Sequence, residues 1–202
     1  MKKGQAREKI IETAKLKFTE KGFANTFVND IASEAGVSIG TLYYHFPQGK
    51  LSIYREIGKK NIETLDKKLK IKGFSIDLEF DTFSDGLKAL IVALVKIHND
   101  EREFILAVEA ELLSKLDNFL KLKKEILSEE QIKMQTDVFL KPFRNLIKKF
   151  PNEGLSLKGK EKQFHKVLDI LMHRNAYIKD TFGTEEEFVK ILTTISIALL
   201  KS

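Results

Sequence analysis

The chain has 202 residues, no cysteine and a formal net charge of +6 at pH 7. This length can bury a sizeable core, and the absence of cysteine excludes disulfides and thiolate metal sites and fits a reducing cytoplasm. No apolar run reaches the ~18 residues of a membrane span, and the first residues lack the apolar centre of a signal peptide. We therefore expect a cytoplasmic protein with no membrane partner.

The first predicted element is a helix over residues 6–21. Four apolar residues share one stripe of its surface: Ile10, Ile11, Ala14 and Phe18. Gly22 can adopt the left-handed conformation that ends a helix, which would bring Phe23 against Phe18.

Two short helices are predicted next, within residues 26–45. Thr26 is a typical N-cap, and a buried face follows it at helical spacing, formed by Ile31, Ala32 and Ala35. Gly36 can end the second helix, and Ser38 can cap a third that begins at Ile39. Two short helices joined by a glycine-containing turn are typical of the helix-turn-helix motif, whose second helix enters the major groove of DNA. The third helix carries no carboxylate, which favours a surface that faces phosphates.

The distribution of charge supports this interpretation. Residues 1–72 hold 15 Lys and Arg against 8 Asp and Glu, whereas residues 73–202 hold 20 against 21. All the excess positive charge therefore lies in the third of the chain that contains the motif, as expected for an electrostatic footprint on phosphates.

The remainder of the chain also reads as helix, so we predict an all-α fold of about nine helices. The DNA-binding domain is placed at residues 1–50, a fourth helix runs from about 50 to 72, and residues 51–202 form a helical ligand-binding and dimerisation domain. Residues 87–97 are apolar almost all round, which marks a buried helix. Further helices are expected at about 103–116, 120–127, 128–150, 160–180 and from 184 to the end. Capping boxes are predicted for two of them, at Ser128 with Gln131 and at Thr184 with Glu187.

The last helix carries more apolar surface than packing against one neighbouring helix requires. Its predicted dimer stripe consists of Phe188, Ile191, Leu192, Ile195 and Leu199. A free face of this width would expose a large patch, so either the core of the same chain or a second copy covers it. Reading DNA with short helices favours the homodimer, because two half-sites give specificity that one helix cannot.

The helix-turn-helix segment resembles the DNA-binding domain of the TetR/AcrR family of regulators. The matching residues are Thr26, Ile31, Ala32, Ala35, Gly36, Val37, Ser38, Gly40, Thr41, Leu42, Tyr43, His45 and Phe46, together with the end of the first helix at Phe18, Lys21, Gly22 and Phe23. The resemblance covers roughly residues 6–58. It implies an all-helical homodimer that represses and that leaves its double-stranded DNA operator when a small molecule binds the C-terminal domain.

Three positions qualify this comparison with the family. Asn29 stands where many relatives have a basic residue, and Ile39 occupies a position that is often Lys, Arg or polar; Ile39 can pack on a thymine methyl or on sugar. Lys50 opposes the macrodipole at the start of the fourth helix, which a phosphate docked there would reconcile. The expected DNA-binding residues are Thr26, Asn29, Ser38, Ile39, Gly40, Thr41, Tyr43, Tyr44, His45 and Lys50.

The expected effector is a small, mainly hydrophobic molecule, since the helix at 87–97 must lie in the middle of its domain. The predicted lining set is Leu94, His98, Phe104, Val108, Phe139, Phe143 and Leu171. His98, or a lysine near the mouth, would hold a polar head group.

Enzymatic activity is not expected. The four histidines lie in separate helices or eight residues apart, which is not a metal-ligand spacing, and no phosphate-binding loop, nucleophile elbow or dinucleotide fingerprint occurs. We predict no catalytic residue, no cofactor and no metal. The alternative function is a constitutive or nonspecific DNA-binding protein without a small-molecule ligand.

Overall fold

The described residues of the computed structural model are 3–71, 79–104, 106–107, 129–178 and 181–201. Within these ranges all regular structure is helical, which confirms the predicted fold class. The α-helices are α1 (Lys3–Lys21), α2 (Val28–Glu34), α3 (Ile39–His45), α4 (Lys50–Ile71), α5 (Phe83–Asp100), α6 (Glu129–Lys149), α7 (Glu161–Tyr177) and α8 (Glu185–Lys201), with a 3₁₀ turn at Pro151–Glu153. The helices predicted at 103–116 and 120–127 lie mostly outside the described residues.

Glycines and a serine cap set the ends of the first three helices as the sequence predicts. Gly22 has φ 79°, and the rings of Phe18 and Phe23 meet with centroids 5.0 Å apart. Gly36 has φ 66°, a conformation that favours glycine because a Cβ atom would strain it. Ser38 caps α3, where its hydroxyl oxygen accepts a hydrogen bond of 3.1 Å from the Thr41 amide.

The predicted N-cap at Thr26 is wrong. Phe27 occupies the cap position of α2 and makes no side-chain cap hydrogen bond. Thr26 is fully buried, and its hydroxyl lies within hydrogen-bond distance of two carbonyl oxygens, those of Lys17 at 3.1 Å and Gly22 at 2.8 Å. The side chain therefore ties the turn after α1 back onto the end of that helix instead of starting α2.

The chain comprises two compact units. The first contains residues 1–61 and 103–131. Its core joins α1, α2, α3 and the first turns of α4, and its buried apolar side chains are Ile10, Ile11, Ala14, Phe18, Ile31, Ala32, Ala35, Leu42, Phe46, Ile53, Ile57 and Phe104. Both short helices thus pack on α1, which supplies the surface that a seven-residue helix needs to be stable.

The second unit contains residues 62–102 and 132–202, and α5 lies in its core. Half of α5 is buried, including Leu87, Leu90, Leu94 and Val95, as the apolar run predicts. Gly86 permits a close approach, because a Cβ atom there would lie 2.5 Å from the side chain of Leu146 on α6. None of the helices in the described ranges is long and apolar enough to cross a membrane.

The last helix begins with the predicted capping box. The Thr184 amide donates to a Glu187 carboxylate oxygen at 2.7 Å, and the Glu187 amide donates back to the Thr184 hydroxyl at 3.3 Å. This hydrogen bonding lowers the pKa of Glu187. The other predicted box, at Ser128 and Gln131, lies outside the residues whose side chains are described.

The predicted dimer stripe on α8 is wrong at two of its five positions. Phe188 and Leu192 are 1% exposed and belong to the core of the same chain, where α8 packs against α5 and α7. The buried row continues through Val189, Ser196 and Leu200, so it lies about one residue step around the helix from the predicted stripe. The half-buried members of the predicted set are Ile191, Ile195 and Leu199.

Replacing Thr26 with valine tests the anchoring role of its hydroxyl. Thr26→Val keeps the shape of the side chain and removes its single hydroxyl donor from a buried site, so we expect the free energy of unfolding to fall by about 1–2 kcal/mol. Thr19→Val is the matched control, because the half-buried Thr19 hydroxyl only reaches back to the Lys15 carbonyl within α1; it should change stability by less than about 0.5 kcal/mol. Equal losses in denaturant titrations of both variants would contradict the anchoring role.

Candidate DNA-binding surface and ligand site

Helix α3 turns one face into the first unit and the opposite face to solvent. Leu42 is fully buried, whereas Tyr44, Tyr43 and Ile39 are 64%, 45% and 42% exposed. Much of the surface of these large apolar and aromatic side chains is not used in packing the chain itself. They leave a protruding surface without a carboxylate, of the size and shape that a major groove admits.

Smaller polar groups at the start of α3 complete this surface. Ser38 and Gly40 are exposed, and Thr41 is half-buried with its hydroxyl 2.8 Å from that of Ser38. At the other end the half-buried His45 ring packs edge-on against Tyr44, with ring centroids 5.1 Å apart. The structure therefore brings seven of the ten predicted DNA-binding residues together on or beside one helix.

The start of α2 contributes an exposed aromatic residue that is absent from the predicted set. Phe27 is 65% exposed and is followed closely by the exposed Asn29. An apolar residue at an N-cap position has no capping function, so the sequence could have indicated that Phe27 is exposed for another purpose. The N-cap was predicted at Thr26 instead, and Phe27 was therefore left out of the predicted set. Thr26 itself is fully buried, so its side chain offers no surface to DNA.

Lys50 is engaged within the first unit. Its ammonium group donates to the carbonyl oxygens of Phe23 at 2.6 Å and Ala24 at 3.1 Å, and it lies 4.8 Å from the centre of the Phe23 ring. These carbonyls follow the C-terminal end of α1, where the helix dipole favours a cation. The protein itself therefore supplies the negative potential that was expected from a phosphate, and a phosphate contact by Lys50 stays a prediction.

Several other cations of the first unit are also paired. Arg7 lies 2.8 Å from Glu56, Lys60 pairs with Glu8, and Lys17 pairs with Glu34. The hydrogen bond to Glu34 raises the pKa of Lys17. The excess positive charge of this unit is thus expressed through its summed electrostatic field more than through these paired side chains.

The predicted ligand-lining residues do not all lie in one place. Leu94, Phe139 and Phe143 are buried in the core of the second unit, and the half-buried Leu171 packs against that core. Phe104 is assigned wrongly, because it belongs to the first unit's core, where it stacks on Tyr54 with ring centroids 6.2 Å apart. Val108 lies outside the described residues.

His98 belongs to a polar cluster that the sequence did not predict. Its ring meets that of His173 edge-on, with centroids 4.4 Å apart, and its Nε2 atom is buried with no hydrogen-bond partner. His173 Nδ1 lies 3.2 Å from a carboxylate oxygen of Asp169 and 2.8 Å from the Asp169 carbonyl oxygen. Both neighbours are acceptors, so this nitrogen carries a proton.

A third histidine lies on the same side of α7. His165 Nδ1 is 3.2 Å from the Thr136 hydroxyl on α6, and its ring centroid is 4.7 Å from that of Phe139. His165, Asp169 and His173 stand four residues apart, so they follow one another along the helix. The sequence alone does not show that these histidines lie together, because spacing along the chain does not reveal that α5 packs beside this row of α7.

The electrostatics of the cluster follow from burial and from the mutual proximity of its groups. Burial, reinforced by His173, lowers the pKa of His98 to about 4. Burial acts to raise the pKa of Asp169, but the hydrogen bond from His173 and the surrounding imidazoles outweigh it, and the pKa is lowered. Among the described residues no group of three His, Cys, Asp or Glu side chains has the arrangement of a metal site.

The fold and the exposed face of α3 are those of a helix-turn-helix protein, and comparison with known proteins shows which proteins the chain is similar to. Residues 10–57 match the family model described as bacterial regulatory proteins, tetR family. The transcriptional regulator LmrA of Bacillus subtilis is 38% identical over 69 residues, which are 34% of this chain and 37% of LmrA. The icaADBC operon negative regulator IcaR of Staphylococcus aureus is 28% identical over 149 residues, 70% of this chain and 77% of IcaR.

A solved structure of similar fold is that of FadR from Bacillus subtilis in complex with stearoyl-CoA. It superimposes with a TM-score of 0.62 at 19% identity and covers 96% of this chain and 97% of FadR. Over residues 10–57 the chain is therefore similar to bacterial regulatory proteins of the tetR family. Matches to three of the most similar curated relatives span 37%, 56% and 44% of those proteins' own lengths.

The lowered pKa of His98 makes stability depend on pH. The folded protein holds His98 neutral down to pH about 4, whereas the unfolded chain protonates it near pH 6.5. The contribution of neutral His98 to the free energy of unfolding is therefore fully present above pH 6.5. It is lost as the pH falls towards 4, by up to about 3 kcal/mol. His98→Leu should flatten the curve of unfolding free energy between pH 6.5 and 4, measured by urea titration. An unchanged slope in the variant would contradict the assignment.

Proposed function

We propose that this chain is a transcriptional regulator, acting in the cytoplasm, that binds a palindromic double-stranded operator as a homodimer. In this function it is a repressor, released when a mainly hydrophobic small molecule binds the second unit. The observation that carries the proposal is the outward face of α3, with three large exposed side chains and no carboxylate. The names of relatives support it, since IcaR is named a negative transcriptional regulator.

In the proposed complex α3 lies in the major groove with its N-terminal residues towards the base edges. Ile39 meets a thymine methyl, and the Thr41 hydroxyl reaches a base edge or stays on Ser38. The hydroxyls of Tyr43 and Tyr44 donate to phosphate oxygens, as does His45. Phe27 and Asn29 add contacts to sugar and phosphate at the start of α2.

Ile39 and Tyr43 are expected to affect binding in different ways. Ile39→Ala should reduce the preference for a selected operator over a scrambled duplex about 3- to 10-fold, because it loses an apolar contact with a base. Tyr43→Phe should weaken binding to both duplexes by the same factor, since it loses a phosphate contact. Fluorescence anisotropy at fixed salt concentration measures both effects.

Leu16→Ala is the matched control for Ile39→Ala. Leu16 is an aliphatic residue on α1, 51% exposed, and it lies outside the proposed DNA-binding surface. Its replacement should leave both affinities unchanged. An equal loss on operator and scrambled DNA for Ile39→Ala would count against base reading by that side chain.

The homodimer requires an apolar face that the chain leaves uncovered. Ile170 on α7 is 53% exposed and Ile178, just after it, is 45% exposed. Together with the half-buried Ile191 and Ile195 on α8, these residues replace Phe188 and Leu192 in the proposed interface. Two copies packed through helix pairs of this kind would form a closed symmetric dimer.

Ile170→Asp tests the interface without damaging the chain's own core, because the residue is mostly exposed. An unpaired carboxylate buried between two copies costs several kcal/mol, so the variant should be a folded monomer by light scattering. Val92→Asp is the control, since Val92 on α5 is 40% exposed and lies outside the proposed interface. A dimer that persists with Ile170→Asp, or a monomeric unmodified protein, would refute this interface.

The alternative is a constitutive DNA-binding protein without an effector. The polar cluster beside an apolar core favours the ligand-responsive protein. In a fully packed domain without a ligand, the unpaired buried Nε2 atom of His98 would cost folding free energy with no compensating role. The complex of FadR with stearoyl-CoA also supports a hydrophobic effector. Release of a preformed operator complex by a small molecule distinguishes the two functions.

A further inference from the structure

Three of the chain's four histidines gather around one carboxylate in the second unit. His98 on α5 and His165 and His173 on α7 all act electrostatically on Asp169. The structure therefore concentrates groups that gain positive charge on protonation at one place beside an apolar core.

The cluster contains an unfilled hydrogen-bonding position. His98 Nε2 is buried and has no partner, which costs the folded protein free energy that a ligand group would recover. The side chains of His173 and Asp169 are 24% and 31% exposed. The cluster is therefore partly open to solvent on the α7 side, next to the buried nitrogen.

Phenylalanine rings lie next to the His165 end of the row formed by His165, Asp169 and His173 on α7. The His165 ring packs on Phe139, and Phe139 lies 5.4 Å from Phe143 between ring centroids. His165 and His173 are two turns apart, so about 12 Å of helix separates the two ends of the row. Imidazoles at one end and phenyl rings at the other match a molecule with a polar head and an apolar tail.

We propose that the cluster of His98, Asp169 and His173 binds the anionic head group of an amphipathic ligand whose apolar tail extends along α7 towards Phe139. The proposal rests on the ligand-responsive function and specifies its effector as an acid. Asp169 is already engaged by the hydrogen bond from His173, so balancing an added anion needs one further proton. His98 takes up that proton from solvent when the anion binds, and Nε2 donates to the head group.

Two carboxylates on the neighbouring helices have partners of their own. On α6, Asp137 faces Arg144 at 3.3 Å. Glu185 at the start of α8 accepts a hydrogen bond of 3.4 Å from Asn99 of α5. The groups that act electrostatically on His98 are His173 and Asp169, both on α7. Proton uptake on anion binding therefore occurs within the cluster.

Three probes of equal chain length test the head-group preference in the full-length protein: decane-1-sulfonate, decanoate and decan-1-ol. The two anions should bind at least about tenfold more tightly than the alcohol at pH 6, as expected for one charge-assisted hydrogen bond. The sulfonate stays ionised throughout, so any gain in its affinity between pH 8 and pH 6 reports protonation of the protein. Calorimetry in buffers of different ionisation enthalpy measures the proton taken up.

His98→Leu should remove both the preference for anions and the proton uptake. It also removes an unpaired buried nitrogen, so it should raise the melting temperature, whereas a purely structural histidine would lower it when replaced. Lys166→Gln is the control, because it removes an exposed cation next to His165 and should retain the preference and the proton uptake. Equal affinity for the three probes, or a preference that survives His98→Leu, would overturn the proposal.

Operator binding in the same titrations separates this inference from the proposed function. If decan-1-ol releases the operator as well as the sulfonate does, the regulator function stands and the anionic head-group site is wrong. If the chain binds no DNA, the regulator function fails, while the probe affinities still decide the chemistry of the cluster.

Discussion

The structure of the first unit depends on burying Leu42. A seven-residue helix is not stable by itself in water, so α3 exists only because Leu42 and the adjacent Phe46 are held against α1. Because the Leu42 side of α3 is fixed against the core, the side chains on its other side face solvent. The exposure of Ile39, Tyr43 and Tyr44 is therefore a consequence of packing, and the proposed reading of DNA uses a face that the core has made rigid.

Local signals were predicted well from the sequence because the interactions behind them span only a few residues. Gly22 and Gly36 have the left-handed conformation that ends a helix, and Thr184 forms its capping box with Glu187, all within one turn. The hydrogen bonds of Thr26 and Lys50 were not predicted, for the opposite reason. Each side chain is held by carbonyl groups that lie elsewhere in the chain, nine residues away for the Lys17 carbonyl and 27 for the Phe23 carbonyl.

The ambiguity of α8 shows a different limit of sequence patterns. A helix with apolar residues around more than half of its circumference has one side against its own core and another available for a partner, and periodicity does not say which is which. Packing against α5 decides it, placing Phe188 and Leu192 inside. The histidine cluster was missed for the same reason, since His98 meets His173 only when α5 and α7 lie side by side.

These assignments give α7 two proposed roles on different faces of one helix. Phe164, Leu168, Met172 and Ala176 face the core. One residue step turns a side chain by about 100°, so His165, Asp169 and His173 lie on a flank of this buried row, whereas Ile170, two steps before Met172, lies on the outer face of the helix. In the proposed regulator the flank holds the anionic ligand and the outer face meets the partner copy. A ligand shifts the balance between two dimer geometries only by binding one of them more tightly, by ~1–3 kcal/mol for a useful switch. Because α7 is a single rigid element, a small displacement of it on ligand binding would move both faces together, and in the proposed regulator this couples the charge state of His98 to the packing of the dimer.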